Sequence, residues 1–233
     1  MALSVTSVAT PTIENGFIGS GDTVTIASFT VSGTNKALFV CMMLWQDVPG
    51  SGTISGITWN TSQSLTKIVE KTVTAGAMRA EIWRLINPTN ATANIVATIS
   101  GDTDARKMGA ILFDGADQTD PDEATQTSEG GAGPITLDIT TLTDGAIVVD
   151  CGSNFTTDAI TIGADQTPIM DDQTGSTGGV ASYESKATAG TVTMSWTKTG
   201  SDDWAQVALS VKPAAATTIV KDPIGPGIEV FPR

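Results

Sequence analysis

Asp114, Asp117, Asp120, Asp122 and Glu123 lie within ten residues, in DGADQTDPDE. Oxygen ligands at short, alternating spacing suit calcium, which accepts irregular loop geometry. Asp117, Asp120 and Asp122 are the calcium candidates, although the regular twelve-residue calcium loop with its central glycine and closing glutamate is absent. The plainer reading of the same stretch is a solvated acidic loop, and no resident metal or other cofactor is expected. Asp102 and Asp104, Asp171 and Asp172, and Asp202 and Asp203 read most simply as turn residues.

Other chemistry is scarce. The chain has no histidine, which removes the commonest general base and the commonest zinc ligand. Cys41 and Cys151 are the two thiols, and both sit in apolar runs, ALFVCMMLW and AIVVDCG. Buried free cysteine is the plain reading and a disulfide between them the alternative. Paired carboxylates abound in any acidic chain, and no nucleophile stands beside a base with an orienting partner. The chain is therefore expected not to be an enzyme.

Aromatic residues offer a second kind of site. Of the five tryptophans, Trp196 shares its parity with Val192 and Met194 and reads as core, and Trp45 ends an apolar strand. Trp83 has Arg79 and Glu81 on its own parity. Trp204 lies opposite the Val207, Leu209 and Val211 face and follows two aspartates. Trp83 and Trp204 are the glycan-stacking candidates, against core or interface packing as the plainer use of such rings.

The elements that would position these residues are strands. TVTIASFTV shifts its apolar parity between Ile26 and Phe29, which predicts a bulge at Ala27-Ser28. KALFVCMMLW is apolar on both parities, as a central strand covered on both faces would be. TVTMSWTK alternates cleanly, the mark of a half-buried antiparallel strand. In WAQVALSV, Ala205, Val207, Leu209 and Val211 share one face. Residues 115–134 read as a long exposed loop. Many short strands joined by glycine-rich turns predict an all-β, antiparallel sandwich, jelly-roll-like, over residues 1–213 as a single domain. GADQT occurs at Gly115–Thr119 and again at Gly163–Thr167. The copies diverge beyond five residues, so they read as two similar strand-exit turns and not as a domain repeat.

The formal net charge is −13, which opposes binding to nucleic-acid phosphates and to anionic membrane surfaces. No basic and apolar leader opens the sequence and no apolar run is long enough to span a bilayer. Folding in a host cytoplasm is expected.

The order of motifs is ITWN…SLTKI, AEIWRLINPT…ANIVATISG, GAILFDGADQTDP, DGAIVVDCGS, then TVTMSWT…WAQVALSVKPA. It resembles a set of β-sandwich proteins found in tailed-phage and prophage genomes and in some bacterial surface proteins. The resemblance spans about residues 20–213 and transfers no catalytic residue. It implies a structural role in a virion, as a capsid or tail decoration or accessory subunit. The partners implied are further copies of the chain and other virion proteins. A carbohydrate-binding adhesin or fibre module, with a host surface glycan as partner, is the alternative. Residues 214–233 lie outside the pattern. Proline denies this segment a helix or a central strand, yet it keeps Ile224, Ile228, Val230 and Phe231. It is expected to extend as an arm onto a neighbouring subunit, with packing on its own domain as the alternative.

Overall fold

The computed structural model describes residues 2–9, 11–19, 21–46, 52–73, 78–155, 160–173 and 177–215. The arm residues Ile224, Ile228, Val230 and Phe231 lie outside the described residues. The first half holds β1 (Ser4–Val8), β2 (Thr12–Ile18), β3 (Thr23–Val31), β4 (Ala37–Trp45), β5 (Thr53–Trp59), β6 (Gln63–Ser64), β7 (Thr66–Thr72), β8 (Met78–Ile86), β9 (Ala91–Ser100) and β10 (Thr103–Asp114). The second half holds β11 (Asp122–Gly130), β12 (Ile135–Thr141), β13 (Ala146–Asn154), β14 (Thr161–Ile162), β15 (Thr167–Asp172), β16 (Gly178–Lys186), β17 (Gly190–Thr197) and β18 (Trp204–Val211). The fold is all-β, and the sheets are antiparallel throughout.

Four sheets stack. In the first half a six-stranded sheet, β1-β10-β4-β8-β7 with β2 also on β10, faces a four-stranded sheet, β3-β9-β5-β6. In the second half a five-stranded sheet, β11-β18-β13-β16-β15, faces a three-stranded sheet, β12-β17-β14. The apolar clusters fix the layer order. Leu38, Val40, Met42 and Leu44 of β4 pack with Ile26, Phe29, Trp59 and Ile95 of the four-stranded sheet. Phe39 and Cys41 on the other face of β4 pack with Val149, Cys151, Val207 and Leu209 of the five-stranded sheet. Val148 and Ala208, on that sheet's far side, meet Leu137, Ile139, Val192 and Met194. The two larger sheets are thus inner layers, and the two smaller ones are outer layers with threonine-rich solvent faces.

The halves share one strand order. With β1 and the two-residue β6 set aside, each half has eight strands among the described residues. Counted one to eight, the inner sheet runs 1-8-3-6-5 and the outer sheet 2-7-4 in both halves. First pairs with last, as in a jelly roll, and strand five extends the inner sheet. The repetition that the GADQT strings do not carry is therefore present in the topology. The strings themselves sit at unlike places, one after β10 and one between β14 and β15. Each is a turn tied back by its glutamine. Gln118 Nε2 donates to Lys36 O at 3.3 Å and to Ala116 O at 3.0 Å. Gln166 Nε2 donates to Ser182 Oγ at 2.7 Å, and its Oε1 accepts from Ser195 N at 2.9 Å.

Local sequence explains the central strands. β4 and β13 are buried or nearly so along their length because each lies between two layers, as an apolar run without alternation requires. β17 alternates, with Val192, Met194 and Trp196 inward. The bulge in β3 lies where the parity shifts, between Ile26 and Phe29, and Ser28 takes a φ of 54°. Residues 115–134 differ from expectation, since they contain β11, an edge strand on β18. Its sequence, DEATQTSEG, is polar and half exposed. Such an edge satisfies its backbone on one side while charge discourages further pairing, so it carries no apolar alternation to read.

The inner sheets approach closely at Gly109 of β10. A Cβ there would lie 3.2 Å from both Ile169 Cγ2 and Met170 Cβ of the second half, so the position accepts no larger side chain without displacement. Polar groups also cross this interface. Lys107 of β10, fully buried, donates to Asp172 Oδ2 at 2.7 Å, to Asp172 O at 3.1 Å and to Thr177 O at 2.6 Å.

Candidate functional site

Trp83 and Trp204 are both buried, at 7% and 5% exposure, so neither presents a ring face to a sugar. Trp83 packs in the first-half core, donates through Nε1 to Glu81 Oε2 at 2.6 Å and lies beneath the Lys67 ammonium, 5.7 Å from the ring centroid. A cation from the neighbouring strand β7 thus covers the ring and Glu81 takes up its N–H, so the charged residues on its parity do not mark an open edge. Trp204 packs with Ile135, Val180 and Trp196 under the outer sheet of the second half, and its indole lies 2.8 Å from where a Cβ on Gly130 would stand.

The calcium candidates are engaged by protein groups, Asp120 and Asp122 both lying against the Arg84 guanidinium. Asp117 Oδ1 accepts from Thr119 N at 2.8 Å and Asp120 N at 3.0 Å, which closes a turn and holds its carboxyl below the ordinary value. Asp122 pairs with Arg84 across the two halves. Among the described residues no three acidic, cysteine or histidine side chains group as a metal site would. Cys41 and Cys151 are free and buried in the inner interface. Cys41 Sγ donates to Asp150 O at 3.8 Å and Cys151 Sγ to Met42 O at 3.4 Å. The Cys41 thiol is pushed well above its ordinary value by its hydrogen bond with Cys151 and then by burial, which keeps it un-ionised and unreactive.

Asp122 yields a pH prediction. Burial outweighs the Arg84 guanidinium and pushes its carboxyl from 3.8 to about 6. The folded value lies above the unfolded one. Its stabilising contribution is therefore complete below 3.8 and is lost as pH rises through about 6. Asp122→Asn should remove that part of the pH dependence. Urea midpoints of both proteins across this window measure it, and the difference curve isolates Asp122 from Glu81, Asp150 and Glu184, whose carboxyls burial also raises.

A concave feature that joins two aromatic rings with polar groups lies elsewhere, at one end of the interface between the halves. Trp45 closes β4, and Phe155 follows the last residue of β13. Their rings stack with centroids 5.4 Å apart and planes at 22°. Together with Gln46, Met78, Ser201, Asp202 and Asp203 they line an open cleft of about 400 Å³. Phe155 is 39% exposed, and Trp45 is half-buried. The two rings meet because β4 and β13 hold the same central place in their sheets and each turns alternate residues toward the other half. Cys41 and Cys151 mark those faces, and counting by twos from each reaches Trp45 and Phe155.

The acidic wall is tied to the aromatic one. Phe155 N donates to Asp203 O at 3.2 Å. The buried Lys198 ammonium donates to Gly131 O at 2.9 Å, to Gly200 O at 3.3 Å and to Asp202 O, and so fixes the loop before β18. Gln46 accepts from Gly52 N at 2.5 Å through Oε1. Neither Asp202 nor Asp203 forms an ion pair with a described residue. The cleft is thus lined by an aromatic pair, two aspartates and a serine, with the buried Gln46 amide already engaged. Sequence reading passed over it. Asp202 and Asp203 look like any turn pair, and Phe155 lies beyond the apolar run of its strand. The parity of Val149, Cys151, Ser153 and Phe155 is the signal that could have placed it.

Compared with protein-family models, with curated proteins and with solved structures, the chain finds no match.

Proposed function

We propose that this chain is a non-enzymatic structural and binding subunit that engages a surface carbohydrate at the Trp45–Phe155 cleft. The observation that carries the reading is the stacked ring pair lining an open cleft among hydrogen-bonding side chains. Sugars present flat C–H faces that rest on aromatic rings, and their hydroxyls need polar partners at the rim. By analogy of fold, jelly rolls serve both viral capsids and lectins. The motif order adds the expectation of a phage particle as the setting, with the subunit decorating a capsid or tail and contacting its own copies and other virion proteins. The net charge of −13 suits a mutually repelling particle surface.

A glycan array probed with the labelled full chain and with Trp45→Ala tests this. The wild type should retain a defined set of oligosaccharides, and Trp45→Ala should lose them by about tenfold or more in affinity, as removal of one stacking surface of about 1.5 kcal/mol implies. Equal retention by both proteins, or none by either, would count against the cleft.

A further inference from the structure

Resting on the carbohydrate reading of this cleft, we infer that the sugar it selects carries free amino groups, with Asp202 and Asp203 as the counter-charges and the Trp45–Phe155 pair as the ring floor. Carboxylates beside an aromatic face form a cation site, since the ring's negative face and the acidic oxygens attract the same ammonium. The surrounding charges agree. Lysines on the bordering elements are already committed. Lys71 pairs with Glu129 at 3.2 Å, and the Lys198 ammonium donates to the backbone carbonyls of Gly131 and Gly200. Asp202 and Asp203 have no cationic partner among the described residues, and Asp203 is exposed. The net charge of −13 favours a cationic over an anionic ligand. A neutral sugar would use the rings and leave both carboxylates without a counter-charge. An amino sugar fits both walls, with its C–H face on the rings and its ammonium toward the acids. Met78 closes the apolar side.

The test titrates the full chain with a β-linked glucosamine oligosaccharide, its fully N-acetylated counterpart, a neutral glucose oligosaccharide of equal length and a lysine-rich peptide. Calorimetry at mildly acidic pH keeps the sugar amine protonated. The expected result is that the glucosamine oligosaccharide binds about tenfold or more tightly than either uncharged sugar, in line with about 1.4 kcal/mol for one ammonium at a partly desolvated ring and carboxylate. Added salt should reduce that preference. The double variant Asp202→Asn, Asp203→Asn should abolish it while leaving the unfolding midpoint unchanged, and Trp45→Ala should weaken all sugars alike. Equal binding of charged and uncharged sugars would overturn the amino-sugar assignment and leave the carbohydrate reading standing. A lysine-rich peptide bound as tightly as glucosamine would make this a general cation cleft and overturn the assignment to a sugar. No binding of any sugar would remove both readings.

Discussion

Asp150→Ala should be the most damaging single substitution in the second half, lowering stability by about 4 kcal/mol or more. Asp150 lies on β13 between two layers and is fully buried. Its Oδ1 accepts from Ser182 N at 2.8 Å and from Ser182 Oγ at 2.5 Å. Its Oδ2 accepts from Trp196 Nε1 at 2.8 Å and from Gln206 Nε2 at 2.8 Å. One carboxylate thus joins β13, β16, β17 and β18, and so both sheets of this sandwich. Alanine strands several donors in a dry layer, at about 1–3 kcal/mol for each that finds no substitute. Burial raises the Asp150 carboxyl against the pull of these donors, so the charge is expensive to hold and its network is what makes it tolerable. Urea unfolding followed by circular dichroism measures the loss. Asp138→Ala is the matched control. It removes an exposed carboxylate bonded to Thr193 Oγ1 and should cost no more than about 0.5 kcal/mol.

Lys107→Met tests the interface between the halves and should cost about 3–5 kcal/mol, because it leaves the Asp172 carboxylate in the inner interface without its ammonium. The companion double variant Lys107→Met, Asp172→Leu should recover most of that loss, since replacing both members of a buried pair with apolar groups is often near neutral. Non-additivity of this size is what contact at 2.7 Å predicts. Denaturant midpoints of the wild type, the two single variants and the double variant complete the cycle. If Lys107→Met and the double variant were equally unstable, the ion pair would not be what matters, and the carbonyls of Asp172 and Thr177 would be the partners that count.

Much of the fold was legible because strands in layered proteins announce their burial. The unbroken apolar run of β4, the alternation of β17 and the parity shift in β3 each have one physical cause, and the structure shows the matching feature at each. What was not legible depended on partners distant in sequence. The polar edge strand β11 borrows its order from β18 and carries no apolar signal of its own. The repeated strand order is invisible in residue identity, because topology constrains burial pattern and not sequence. Trp83 looked exposed from its charged neighbours, yet Lys67 covers the ring and Glu81 takes up its N–H. The same limit hid the cleft. Its walls come from Trp45 and Phe155, more than a hundred residues apart, and they are neighbours only because two sandwiches face one another.

If the ring-lined cleft between the halves is the seat of carbohydrate binding, Met78 reports on it directly. Met78 lines the cleft from the edge of the inner-interface core and pairs with Trp45 across β4 and β8, whereas Met42, Met108 and Met194 belong to other apolar clusters and do not line it. With methionine methyl groups labelled by carbon-13, the full chain would be titrated with the oligosaccharides retained on the array. The Met78 methyl resonance should move saturably while those of Met42, Met108 and Met194 stay in place. Binding that leaves Met78 unmoved would contradict the account and place the carbohydrate elsewhere on the molecule.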